Sequence, residues 1–187
     1  MSKKILAILM GCALILLLTA CVARGNAIPD KGWTTLTEET LGISVSLPDT
    51  WASKSTPDGG LFISNDAANF ASPIIVNGVA VAISTLDSAQ YNNLTDPIAI
   101  VDTYAQNIQS IGASLQPIGA VETWESQGYP AATGRYRGTL FDQAGEITFT
   151  AIVHGSRIAS IMTIDTTDGQ TQTQVLQQIT RSVAFLK

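Results

Sequence analysis

The sequence predicts an α+β domain whose elements run strands, helix, strands, helix, and three features carry that prediction. Residues 129–165 alternate apolar and polar side chains with a period of two, interrupted by turn-forming residues, as consecutive antiparallel strands do. Asp96-Pro97 opens a stretch in which Ile98, Val101, Ala105 and Ile108 recur at helical spacing. Near the C-terminus Leu176, Ile179, Val183 and Leu186 form a second helical stripe.

Taken in order, Thr34 to Glu38 and Gly42 to Leu47 alternate as strands around Glu39-Thr40-Leu41, with Ile43, Val45 and Leu47 on one face. Pro48 ends the second of them. Trp51 to Lys54 and Leu61 to Ser64 read as two further strands, joined through Pro57-Asp58-Gly59-Gly60. Asn77-Gly78, between Ile74-Ile75-Val76 and Val79 to Ile83, suits a hairpin turn in which both positions take positive φ; one longer strand is the alternative. Asp96 caps the first helix and Gly112 ends it. Leu115 to Trp124 is extended, and Gln127-Gly128 turns the chain into the next strand.

Two turns set a testable register in the C-terminal half. A four-residue loop over Asp142 to Gly145 pairs Leu140 with Ile147, Gly138 with Phe149, Tyr136 with Ala151 and Gly134 with Val153, so large side chains meet small ones. A two-residue turn at Gly155-Ser156 pairs Val153 with Ile158, Ala151 with Ser160, Phe149 with Met162 and Ile147 with Ile164. One face is almost wholly apolar. The other carries Arg135, Arg137 and Arg157 with Glu146, Thr148, Thr150 and His154, and also Ile152 and Ile161. Asp168 caps the last helix.

At the N-terminus an apolar run, Ile5 to Ala20, follows Lys3 and Lys4 and closes on Leu18-Thr19-Ala20-Cys21, which resembles the lipidation box of a bacterial lipoprotein. The run is shorter than the roughly 20 residues that span hydrocarbon. The resemblance implies cleavage before Cys21, a diacylglycerol on its sulfur and usually a further acyl chain on the new amino group. At about 0.8 kcal/mol per buried methylene, several chains anchor stably. The expected organisation is a signal peptide over residues 1–20, a lipidated cysteine and flexible tether over 21–32, and a single domain over 33–187. The expected location is the bacterial cell envelope, on the extracytoplasmic side of a membrane. Val22 supplies no acidic retention signal, so inner and outer membrane both stay open.

Beyond Cys21 the chain carries eight basic and fifteen acidic residues, a formal charge of −7, which repels nucleic acid and anionic lipid. Cys12 leaves with the leader and Cys21 is acylated, so no cysteine pair remains for a disulfide and packing must supply the stability.

Gly42-Ile43-Ser44-Val45-Ser46-Leu47-Pro48-Asp49-Thr50-Trp51, an apolar strand running into Pro-x-x-Trp, resembles the opening of PsbP-like and DcrB-like proteins. Gly128-Tyr129-Pro130-Ala131-Ala132 is similar to the start of their strand meander, and the likeness extends from about residue 34 to the end. It implies an antiparallel sheet with helices on both faces, in small exported, often lipid-anchored proteins that serve as accessory or assembly factors rather than enzymes. No metal or docking residue of that family maps onto this chain, and no cofactor is expected.

Chemistry-bearing groups are few. His154 is the only histidine, which excludes a multi-histidine metal site. It sits beside a tight turn with no Gly-x-Ser-x-Gly elbow, so it reads as a surface turn residue rather than a catalytic base. Arg135, Arg137 and Arg157 admit two readings: an anion or carboxylate contact built on guanidinium geometry, or a solvated sheet face with local ion pairs. Glu122 and Glu125 point to opposite faces of a strand, and Asp165 and Asp168 have no diagnostic spacing. No Asp-x-Asp-x-Asp-Gly loop supports calcium. Trp33, Trp51 and Trp124 suit core packing or a ligand cleft, with Trp33, nearest the tether, the one expected to be exposed. The expected function is a non-catalytic, lipid-anchored accessory or assembly protein docking on an envelope protein partner and binding no nucleic acid. A small-molecule or anion binding module and a carboxylate-dependent hydrolase are the alternatives.

Overall fold

The computed structural model describes residues 31–71, 78–140, 142–167 and 170–187. The predicted lipidation at Cys21, the upstream arm of the Asn77-Gly78 hairpin and the Asp168 cap lie outside them.

The described residues form two antiparallel sheets. The smaller joins β1 (Trp33–Glu38) to β2 (Ile43–Pro48), and β2 to β11 (Ala184–Phe185). The larger has eight strands: β3 (Ala52–Ser55), β4 (Leu61–Ser64), β5 (Val79–Asp87), β6 (Ser114–Pro117), β7 (Glu122–Ser126), β8 (Tyr129–Leu140), β9 (Gln143–His154) and β10 (Arg157–Asp165). Their spatial order is β3-β4-β5-β10-β9-β8, and the outer edge of β8 is shared by β7 and β6. Helix α1 (Pro97–Ser110) packs on β8 and β9, and α2 (Gln170–Ser182) packs with β2 on the other face.

This is the expected α+β architecture with a helix on each face. The apolar alternation explains it: Tyr136, Ile147, Phe149, Ala151 and Ile158 bury with Ile100 and Val101 of α1, while Ile152 and Ile161 bury with Val45, Ile63, Leu176 and Ile179. Ile152 and Ile161 retain 1% and 2% of their surface, so the arginine-bearing face is not bare around them. Trp33, Trp51 and Trp124 pack half-buried against that second cluster, Trp33 included.

The β9–β10 register is the predicted one, with Val153 opposite Ile158 and Phe149 opposite Met162, and Gly155 takes φ +61° in the two-residue turn. The β8–β9 register is corrected by four residues. Leu140 pairs with Gln143, Gly138 with Gly145, Tyr136 with Ile147 and Gly134 with Phe149. Asp142 adopts φ +62°, which lets the connection close in two residues and extends the ladder through Gln143–Gly145. Because the shift is even, every side chain keeps its predicted face.

In α1 the Asp96 carboxylate accepts from Ile98 N at 3.0 Å and Pro97 starts the helix, as expected. The packed face runs through Ile100, Val101, Tyr104, Ala105 and Ile108. At 3.6 residues per turn Ile98 stands about a quarter-turn from its centre and is exposed. Leu186 is not part of the second helical stripe. Helix α2 ends at Ser182, and Ala184–Phe185 add to β2 as a strand. Just before β11 the Ser182 hydroxyl extends that ladder, accepting from Ser46 N at 2.8 Å.

Candidate functional site

Cross-strand pairing arranges the arginine-bearing face in rows. Arg137, Glu146 and Asp165 form the first, Arg135, Thr148 and Thr163 the second, Thr133, Thr150 and Ile161 the third, and Ala131, Ile152 and Ala159 the fourth. His154 and Arg157 are partners at the far end, where Tyr129 stacks on His154. The face therefore grades from charged to apolar and ends in an aromatic and cationic group.

Between the first two rows and the polar flank of α2 lies an open cleft of about 710 Å³, lined by Arg135, Arg137, Glu146, Asp165, Thr167 and Gln177 among others. It narrows beneath α2 toward Thr133 and Trp124. Arg135 donates from Nε and Nη2 to one oxygen of Glu146, at 2.9 and 2.7 Å. The two side chains are 38% and 20% exposed, so solvent screening keeps this pair within about 1 kcal/mol. Asp165 is buried, and its Oδ1 accepts from Thr167 N at 2.8 Å and Thr167 Oγ1 at 2.7 Å, closing the exit of β10. Carboxylates directly opposed across strands repel; Arg135 and Arg137 beside Glu146 offset that. Arg137 is exposed, and no ion pair to it occurs among the described residues.

The structure separates the four predicted binding residues into two pairs. Arg135 and Arg137 line the cleft. Arg157 sits at the opposite end, where its Nη2 donates to the carbonyls of Leu41 and Gly42 at 3.0 and 3.2 Å and its guanidinium lies 4.9 Å from the centre of the Phe185 ring. His154 is not a free turn residue. The turn occupies only Gly155-Ser156, which leaves His154 as the last residue of β9, stacked at 4.1 Å on Tyr129 and 5.2 Å from Phe185. Its Nδ1 is buried without a hydrogen-bond partner among the described residues.

Asp165, Thr167 and Gln177 are the cleft residues that sequence reasoning did not join to the arginines. The predicted β9–β10 register contained the signal for Asp165, since Ile147 opposite Ile164 places Glu146 opposite Asp165. Two acidic side chains thus do share a cleft, as a carboxylate-dependent hydrolase requires, but each is engaged by a structural partner. Among the described residues no group of three or more histidine, cysteine or acidic side chains forms a metal site.

No protein-family model matches the chain. No curated protein matches its sequence. Solved structures do resemble it. Cyanobacterial PsbP (CyanoP) from Synechocystis sp. PCC 6803 aligns with a TM-score of 0.57 and 12% identity, over 88% of this chain and 98% of its own. LpqN, involved in cell envelope biogenesis of Mycobacterium tuberculosis, aligns with a TM-score of 0.52 and 12% identity, over 83% and 91%. At such identity the likeness is one of fold, and the chain has a PsbP-like α+β fold.

Proposed function

We propose that this protein is a lipid-anchored accessory or assembly factor of the bacterial envelope that docks on a membrane or envelope complex and performs no catalysis of its own. The observation that carries the reading is the engagement of the two cleft carboxylates and of Arg157. Glu146 is held by Arg135, Asp165 by Thr167, and Arg157 by main-chain carbonyls, whereas general acid–base catalysis needs groups free to take and return protons. The fold shared with CyanoP, and with LpqN of envelope biogenesis, supports it. Among the described residues no helix is long and apolar enough to cross a membrane, and this reading assigns attachment to lipid on Cys21. The following tether of about ten residues reaches roughly 35 Å when extended.

Crosslinking the full chain in native membranes, followed by solubilisation and purification, tests docking. A membrane protein recovered in stoichiometric amount is expected; recovery of the chain alone at every crosslinker length refutes it.

A second reading, a small-molecule or anion binding module, is favoured by the position of Arg137, exposed beside Arg135 in the cleft. A carboxylate or phosphate ligand would meet two guanidinium groups there. Equal thermal shifts with phosphate or citrate in wild type and Arg137→Ala remove that role.

A further inference from the structure

On the opposite sheet face, α1 covers β8 and β9 and leaves a wedge beside β4 and β5. The wedge is a cavity of about 270 Å³. Phe62, Phe149, Met162 and Ile108 wall it, and Ala82 contributes the smallest side chain on that side. One end is polar: Ser84 and Ser160 are cross-strand partners that both line the cavity, and the Tyr104 hydroxyl approaches Ser84. Ser160 retains only 4% of its surface; the Tyr91 hydroxyl stands near its Oγ, but no hydrogen bond of good geometry reaches that oxygen among the described residues. A buried hydroxyl without a partner is unfavourable, and an occupant with a hydrogen-bonding group would relieve it.

We propose that this cavity is a binding site for a small, uncharged molecule with one ring and a hydroxyl group, the ring lying among the apolar walls and the hydroxyl meeting Ser160. Size agrees, because an apolar cavity of about 150 Å³ is enough for benzene. Charge agrees too. Among the described residues no lysine, arginine or histidine lines the cavity, while the exposed carboxylate of Asp58 stands at its rim, held below the usual carboxylate range by the Thr56 hydroxyl. An anion would meet repulsion and no partner. Burial pushes the Tyr104 phenol up, so that end of the cavity offers neutral hydroxyls at physiological pH. The combination of apolar walls with a few placed polar groups is that of small-molecule sites in general.

Met162 makes the test specific, since the other two methionines, Met1 and Met10, belong to the leader. The full chain, labelled with 13C in the methionine methyl groups and held in phosphatidylcholine nanodiscs, is titrated with 4-fluorophenol. The expected result is a saturable shift of the Met162 methyl resonance, weakened at least tenfold by the cavity-filling Ala82→Leu and about fivefold by Ser160→Ala. Overturning results are the lack of a saturable shift up to millimolar probe, which leaves water as the occupant, or an equal shift in Ala82→Leu, which marks partition into lipid. Should Ala82→Leu not fold, the Ser160→Ala titration and a nuclear Overhauser contact between probe and Met162 decide; lack of both overturns the site.

Discussion

Replacing Arg157 with alanine tests what holds the small sheet against the large one. Its Nη2 is shared between the carbonyls of Leu41 and Gly42, and its guanidinium faces Phe185 of β11. A hydrogen bond from a charged donor is worth about 1.5–3 kcal/mol. Only one of the two is counted, because Gly42 O keeps a second donor, Leu186 N at 2.9 Å, whereas Leu41 belongs to the buried core. The cation–π contact adds about 0.5–1 kcal/mol at a partly exposed site. The expected loss is therefore about 2–4 kcal/mol, which at about 2–4 °C per kcal/mol lowers Tm by roughly 5–15 °C. Urea unfolding measures it, with the midpoint falling at unchanged slope. Arg157→Lys should recover less than half, because an ammonium cannot present the same planar fork. A loss below about 0.5 kcal/mol would show that the small sheet is held by apolar burial alone and refute the assignment.

Other consequences are as direct. A Cβ on Gly138 would lie 1.7 Å from the carbonyl oxygen of Ser114, so Gly138→Ala should cost about 3 kcal/mol or unpair β6, read as faster amide exchange at Leu115 and Gln116 with β9–β10 unchanged. Burial raises the Tyr104 pKa above its ordinary value near 10.0, so the folded state keeps a proton that the unfolded chain releases. Stability should be level to about pH 9 and fall above pH 10, and Tyr104→Phe should flatten most of that fall in urea titrations at pH 8, 10 and 11. Arg135→Ala should cost less than about 1 kcal/mol, and less again in 1 M salt, as an exposed pair does. Cys21→Ser should move the protein from the membrane to the soluble fraction if acyl chains on that sulfur are its anchor.

Periodicity and caps made most of the fold legible. Asp96-Pro97 starts α1 where the capping argument puts it, and Gly155 turns β9 into β10 in the predicted register. The β8–β9 error came from weighing side-chain size across strands above the turn. Matching Gly134 to Val153 looks favourable, yet Gly134 pairs with Phe149, and its lack of a side chain serves α1 instead: an added Cβ there would stand 2.8 Å from Val101. The glycine makes room for the helix, a contact that no local pattern encodes. Leu186 fits a helical stripe by spacing alone, whereas the chain has already left the helix for β11, whose Phe185 finds its partner Ile43 in β2, 142 positions earlier.

The candidate site was half legible for a related reason. Alternation assigns residues to a face but not to a position along it, so Arg135, Arg137, Arg157 and His154 read as one group. What divides them is the apolar middle of the same face: Ile152 and Ile161 have to be covered, and α2 with the small sheet supplies the cover. Once it is in place, the two ends have different chemistry. At the Arg157 end the charge is spent on two carbonyls and a ring, so it serves the joint between the sheets. At the other end, threonines at positions 133, 148, 150 and 163 replace apolar side chains, and beyond them Arg137 stands exposed in the open cleft beside the Glu146–Asp165 pair. A single polar substitution pattern along one face of three strands therefore decides which arginine is structural and which is free to meet a ligand or partner.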